Sequence, residues 1–281
     1  MGEHYPIQIS YLVDGNSVFL TALESLDRRL SLILQSFSDG VIVAIGYPLS
    51  PDSRTVMCPR RTKNLTPPAE GTFALEGGAD AFLNLIQDKV KYPVVERRLR
   101  ETRGAIIGKE ALLGHSLGGL FVLHVLFMRP NSFDCFLTSS PSIWWNNQYI
   151  LTEEVGLRGI ERHVSYSPSG GQERDPWRKR GKDDRHYKEI ADRHQRRKMV
   201  DNVLTMERRL QASRKLKYFA AHIYNGESRG TIIICSLSRR LATFLDSLNT
   251  PPRFMLAENS PVATATSSQS TTAWMQTWTA V

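Results

Sequence analysis

The stretch ALLGHSLGGLFVLHVLF, residues 111–127, joins an apolar strand candidate to an apolar helix through Gly114-His115-Ser116-Leu117-Gly118. A serine in a Gly-x-Ser-x-Gly pentapeptide serves as a nucleophile in one placement: on a tight strand-to-helix turn, in strained backbone geometry, with its hydroxyl projecting above the sheet. Both flanks meet that requirement. ALLG enters the turn as an apolar strand, and the glycines at 114 and 118 let strand and helix pack closely behind Ser116. In this arrangement the N–H of Leu117, at the helix N-terminus, is one oxyanion donor. The second is expected from a turn that ends an earlier strand. Two turns qualify, Gly15-Asn16 and Gly46-Tyr47, so the donor is assigned to Asn16 or Tyr47.

The rest of the chain supplies a sheet for this turn. Residues 7–13 (IQISYLV), 41–45 (VIVAI), 135–138, 164–167 and 218–224 read as short strands. Between them, residues 19–37, 79–90, 120–128, 199–211 and 237–248 carry apolar residues at helical spacing. Residues 49–72, rich in Pro, Arg and Thr, read as a long loop. Strand–helix alternation of this kind implies a mostly parallel sheet with helices on both faces. One domain over residues 1–248 is expected, followed by a disordered tail over 249–281 that is rich in Ser, Thr and Ala and has no periodicity.

The formal charge is +8, and it is unevenly placed. Residues 174–217 hold 16 basic and 7 acidic side chains, a net +9, whereas the other 237 residues hold 20 and 21. A general nucleic-acid-binding charge is therefore excluded, and one basic segment on a near-neutral body remains. Three widely spaced cysteines, Cys58, Cys135 and Cys235, form neither a disulfide framework nor a zinc spacing. No apolar run approaches the roughly 20 residues that span a bilayer, and no secretory signal opens the sequence. These features lead to the expectation of a cytoplasmic protein with no metal, no cofactor, no membrane partner and no nucleic-acid partner.

The motifs DGNSVF (14–19), VIVAIGYP (41–48), RTKNLTPP (61–68), GHSLGGLF (114–121), SPSIWW (140–145) and NGESRG (225–230) occur in this order. Together they resemble the esterase D-like α/β-hydrolases, and among them the siderophore esterases, with the fungal triacetylfusarinine C esterases most similar. The resemblance covers about residues 5–248. It implies an α/β-hydrolase fold and a serine hydrolase that cleaves ester bonds of an iron-chelating siderophore, a small-molecule substrate. It also implies Ser116 as nucleophile, Arg61 in a loop over the site, and Trp144 and Trp145 along the substrate pocket. Gly170-Gly171-Gln172-Glu173 matches the family's Gly-x-x-Glu segment, which makes Glu173 the first candidate for the triad acid and Asp175 the alternative. Relatives carry further strands before the segment that resembles residues 5–15, so an exposed sheet edge is expected here.

One position departs from the pattern. Where the family carries its general-base histidine, in Gly-Glu-(x)-His-Gly, this chain reads Gly226-Glu227-Ser228-Arg229-Gly230. A guanidinium stays protonated and has no lone pair to take the serine proton, so Arg229 cannot act as the base. Of the other histidines, His115 is expected to be turned from the reacting face by the elbow, and His124 lies within the following helix. His222 precedes Arg229 by seven residues, and His163, His186 and His194 fall outside the motifs. Three functions remain open: an esterase, an inactive hydrolase scaffold that binds a ligand or partner, and a polyanion binder acting through residues 174–217.

Overall fold

The computed structural model describes residues 6–32, 40–49, 58–72, 75–157, 160–167, 184–221, 224, 227 and 230–246. Glu173, Asp175, His222, Arg229 and the tail 249–281 lie outside the described residues. Among the described residues six parallel strands form one sheet in the order β2-β1-β3-β4-β5-β6. They are β1 (Ile7–Val13), β2 (Gly40–Ile45), β3 (Ile107–His115), β4 (Cys135–Ser139), β5 (Ile160–Ser167) and β6 (Leu216–Ala221). β1 is buried along its whole length, Gln8 and Ser10 included, as a strand covered on both faces requires. Among the described residues β2 pairs with β1 alone, and its residues are half-buried.

Two layers of helices cover the sheet. On one face, α1 (Gly15–Leu32) and α9 (Thr231–Asp246) pack on each other and enclose Leu12, Leu113, Leu137, Leu241 and Phe244. On the other lie α2 (Arg60–Leu65), α3 (Ala79–Leu85), α4 (Arg97–Arg103), α5 (Leu117–Met128), α6 (Ile150–Val155) and α8 (Met199–Ser213). Their larger core holds Tyr11, Phe82, Phe121, Phe133 and Phe136. α5 is apolar on all sides because it is buried on all sides, from Gly118 to Phe127. α7 (Asp184–Arg197) precedes α8 in the basic segment. Among the described residues no helix is long and apolar enough to cross a membrane.

Several boundaries differ from the sequence expectation for identifiable reasons. α1 begins at Gly15 rather than residue 19, because the Asp14 carbonyl accepts both the N–H and the hydroxyl of Ser17 and starts the first turn. The helix expected to stop near residue 90 continues as a π-helical stretch over Ile86–Glu96 that contains Pro93. The wider register accommodates the missing proline donor, and α4 then ends at Gly104 in the left-handed region, φ 58°. The expected loop 49–72 contains α2.

One buried polar network braces α5 from the side away from the sheet. His124 is 1% exposed; its Nδ1 lies 2.8 Å from a carboxylate oxygen of buried Glu153, on α6, and its Nε2 lies 3.4 Å from Asp80 of α3. Removing the ring strands Glu153 in a site where water does not replace the lost partner. We expect His124→Ala to lower the unfolding free energy by about 3–5 kcal/mol, read by urea denaturation. Much of that loss is expected to return in His124→Leu/Glu153→Met, which removes both polar groups together.

Candidate active site

The C-terminal edge of a parallel sheet collects the residues that follow its strands, and Ser116 sits there after β3. Its backbone has φ 58° and ψ −114°, a region that L-residues rarely occupy. The surroundings hold it there. The Ser116 N–H donates to the Ser139 carbonyl (3.0 Å), and the Ser116 carbonyl accepts from Leu120 and from Ser142, both at 3.0 Å. The two flanking glycines are required by space. A Cβ at Gly114 would lie 2.3 Å from the Gly118 carbonyl oxygen, and one at Gly118 would lie 2.8 Å from a Val13 methyl group.

The Ser116 hydroxyl is 3.2 Å from that of fully buried Ser142, a contact that no sequence signal indicated beyond its place in SPSIWW. Leu117 opens α5, so its N–H belongs to the first turn and lacks an intrahelical acceptor. His115, the neighbour of Ser116, is turned into the body of the protein. Its Nδ1 lies 3.2 Å from the hydroxyl of Ser139, which in turn lies 2.6 Å from that of Ser236 on α9. His124 is engaged by Glu153 and Asp80 on the far side of α5.

β1 ends beside β3, and its last turn brings a second group to the same edge. Asp14, with φ 59°, accepts two hydrogen bonds from Arg61 at the start of α2: Nε to Oδ1 at 2.9 Å and Nη2 to Oδ2 at 2.6 Å. Burial disfavours the guanidinium charge, but the bonds to Asp14 outweigh it and raise the Arg61 pKa. The Asp14 carboxylate also lies next to the elbow, 3.3 Å from the Cβ position of Gly118. The sequence does not single out Asp14, although DGNSVF and RTKNLTPP each contain one of the two partners.

The two turns proposed as oxyanion donors are tied together. The Asn16 side chain donates from Nδ2 to the Tyr47 carbonyl (3.1 Å) and accepts the Tyr47 N–H on Oδ1 (2.6 Å). The Tyr47 ring is buried and stacks near Phe82 at 6.3 Å. Its phenol pKa is pushed up, first by burial and then by the Asp14 charge, with Arg61 opposing. Tyr47 follows β2, which β1 separates from β3, whereas Asn16 follows β1 directly beside the elbow.

The two tryptophans differ. Trp145 is in the core, 6% exposed, with its indole N–H donating to Glu76 (3.3 Å) and its ring set edge-on to Tyr149. Trp144 is half-buried, and the Arg197 guanidinium at the end of α7 lies 4.5 Å from its ring centroid. That cation–π contact links the basic segment to SPSIWW, and no sequence pattern pointed to it. A second arginine of the segment, Arg209, donates from Nε and Nη2 to the buried carboxylate of Glu154 at 2.8 and 2.6 Å, and so joins α8 to α6.

Comparison with known proteins agrees with this geometry. Residues 50–220 match the model of a family described as putative esterases. The chain is 39% identical over 255 residues to the siderophore triacetylfusarinine C esterase of Aspergillus fumigatus, an alignment covering 86% of this chain and 82% of that protein. It is 40% identical over 256 residues to the siderophore enterobactin esterase of Emericella nidulans, covering 85% and 82%. Among solved structures, the siderophore hydrolase EstB from Aspergillus nidulans superimposes with a TM-score of 0.79 at 35% identity, covering 89% of this chain and 86% of that one. The parallel sheet, the helix layers and these similarities together place the chain in the putative esterase family of α/β-hydrolases, among the siderophore esterases.

Proposed function

We propose that the protein binds a siderophore-type ester over the C-terminal edge of β1 and β3 and cleaves it through Ser116, with turnover held low by arginine at position 229. The observation that carries this reading is the backbone of Ser116, strained at φ 58° and ψ −114° between a buried strand and a buried helix. The names of the relatives, esterases of triacetylfusarinine C and of enterobactin, supply the substrate class. Ser116 Oγ adds to the ester carbonyl as its proton passes to solvent water, and the oxyanion so formed accepts from the Leu117 N–H and from the N–H of Asn16 in the first turn of α1. The ester C–O bond then breaks, the alcohol leaves with a proton taken from solvent, and water releases the acyl group from Ser116. Asn16 is preferred to Tyr47 because the Tyr47 N–H already donates to the Asn16 side chain.

Arg61, fixed by Asp14, presents its remaining N–H groups to an oxygen of the substrate, and Trp144 provides an apolar wall capped by Arg197. Glu173, or Asp175 in its place, is the triad acid of the family pattern. The missing component is the base. A second reading, a ligand-binding protein on a hydrolase scaffold, rests on that one substitution. The polyanion reading is weakened by the engagement of Arg209 with Glu154 and of Arg197 with Trp144.

Ferric triacetylfusarinine C and its iron-free ester are the probes. Ser116→Ala is expected to leave binding of the ferric probe within about threefold of wild type and to remove whatever hydrolysis the wild type shows. Equal hydrolysis by wild type and Ser116→Ala would exclude Ser116 as the nucleophile.

A further inference from the structure

We propose that Ser142 is a second functional hydroxyl of the elbow: it donates a hydrogen bond to Ser116 Oγ, holds the nucleophile in one rotamer and stabilises charge on that oxygen. The inference rests on Ser116 being the nucleophile, and it adds to that reading the residue that orients it. Burial gives the direction of the bond. Ser142 is 0% exposed, and among the described residues the partner of its hydroxyl is Ser116 Oγ, at 3.2 Å. A buried hydroxyl costs free energy unless its proton has an acceptor, and alanine would fill the same turn without that cost. If Ser116 were the donor, the Ser142 proton would be left without an acceptor among the described residues. Ser142 therefore donates. One lone pair of Ser116 Oγ is occupied, and the Ser116 proton and the other lone pair are left for the proton acceptor and the ester.

The seat of Ser142 is built for this contact. β4 ends at Ser139, and the chain turns through Ser140, which is fully buried and has φ 41°. The turn closes on itself: the Ile143 N–H donates to the Pro141 carbonyl at 2.8 Å and the Trp145 N–H to the Ser142 carbonyl at 3.0 Å. The Ser142 N–H donates to the Ser116 carbonyl at 3.0 Å, so the backbone and the side chain of Ser142 hold the same residue. Gly119 makes room for the turn. A Cβ there would lie 3.0 Å from Pro141 Cα and 3.0 Å from the Ser139 carbonyl oxygen. GHSLGG and SPSIWW thus meet backbone against backbone, with positive φ on both sides of the contact, at Ser116 and at Ser140. Unfavourable backbone at two such residues persists only where the surroundings over-determine it, as they do at functional sites.

The chemistry gives this bond work in both halves of the reaction. In the first, Oγ forms its bond to the ester carbon and loses its proton, and a fixed rotamer keeps the free lone pair on the line of attack. In the second, water attacks the acyl carbon and the C–Oγ bond breaks. Negative charge then grows on Oγ, and the Ser142 O–H meets it until Oγ takes a proton from solvent or from a base. Ser142 keeps its own proton throughout, so it is neither the base nor a second nucleophile.

The test has a kinetic arm and a stability arm, both on the full chain. In Arg229→His, adding Ser142→Ala is expected to lower kcat on an activated short-chain ester about tenfold with KM within about twofold, and to slow fluorophosphonate labelling of Ser116 by a similar factor. A role confined to packing would not separate kcat from KM in this way. The stability arm needs no activity. Ser142→Ala is expected to lower the urea midpoint of wild type but to raise that of Ser116→Ala, where the Ser142 hydroxyl has lost its acceptor. A midpoint that falls equally in both backgrounds overturns the proposal, as does equal labelling of Ser116 with and without the Ser142 hydroxyl. An Arg229→His protein unlabelled at Ser116, with the stability coupling intact, would instead overturn the reading of Ser116 as nucleophile, and this inference with it.

Discussion

Arg229→His is expected to raise the turnover of an activated short-chain ester by about a thousandfold or more. The size follows from what a triad member does. Loss of the histidine from a serine hydrolase lowers kcat by about a millionfold and leaves the part that the oxyanion hole and binding supply. Position 229 lies in Gly226-Glu227-Ser228-Arg229-Gly230, where the family pattern places its base. The sheet edge holds Ser116 in strained backbone, the first turns of α5 and α1, and an arginine bound to Asp14. The gain should disappear in Arg229→His/Ser116→Ala. It should also carry the pH dependence of a histidine, with activity rising as the imidazole loses its proton. No gain at all would mean that the scaffold is not competent, and the binding-protein reading would then hold.

Gly114→Ala is expected to remove about 3 kcal/mol or more of stability, a large part of the roughly 5–15 kcal/mol that a domain possesses. The new methyl group would meet the carbonyl oxygen of Gly118 at 2.3 Å and its carbonyl carbon at 2.4 Å. Both are backbone atoms, so no side chain can rotate away. Relief requires α5 to move off β3, and α5 is buried on all sides by Phe82, Phe136 and their neighbours. Thermal unfolding reads the loss. The neighbouring Gly119 is constrained differently, since its nearest contact is the side-chain hydroxyl of Thr138, at 2.7 Å, with backbone atoms at 3.0 Å. Gly119→Ala should therefore cost less than Gly114→Ala. The reverse order would show that the strand–helix junction is not the rigid element described here.

Much of the frame was legible before the structure, and the reasons are local. β1 and α5 are runs of apolar residues whose type and length leave few alternatives, and Gly114 and Gly118 announce a close backbone approach. Pro93 misled because a proline ends an α-helix but is tolerated where the register widens. Pairings between distant segments were not legible. Asp14 and Arg61 stand 47 residues apart; the resemblance singles out Arg61, but nothing in the sequence pairs it with Asp14. The Arg197–Trp144 contact joins a basic helix to an aromatic motif, and nothing in either string requires it. The two tryptophans, adjacent and identical in type, separate only when packing sets Trp145 in the core and Trp144 at its margin. Arginine at 229, where the resemblance implies a histidine, is read from the sequence alone.

The charge was likewise only partly readable. Composition located a net +9 in residues 174–217, but not its division of labour. Arg209 neutralises the buried Glu154, Arg185 forms an exposed pair with Glu189 within α7, and Arg197 lies over Trp144. Exposed pairs of the second kind add less than about 1 kcal/mol. The first kind is structural, and in the proposed function the third borders the ligand.

In the proposed function Ser116 is the nucleophile of a hydrolase with arginine at the base position. The measurement that tests this is the mass of the Ser116 peptide after incubation of Arg229→His with a fluorophosphonate, which phosphonylates an activated serine and releases fluoride. One phosphonyl group is expected on Ser116, acquired much faster than in wild type and absent in Arg229→His/Ser116→Ala. A folded Arg229→His protein that binds the ferric siderophore yet remains unlabelled at Ser116, or is labelled at another serine, would contradict it.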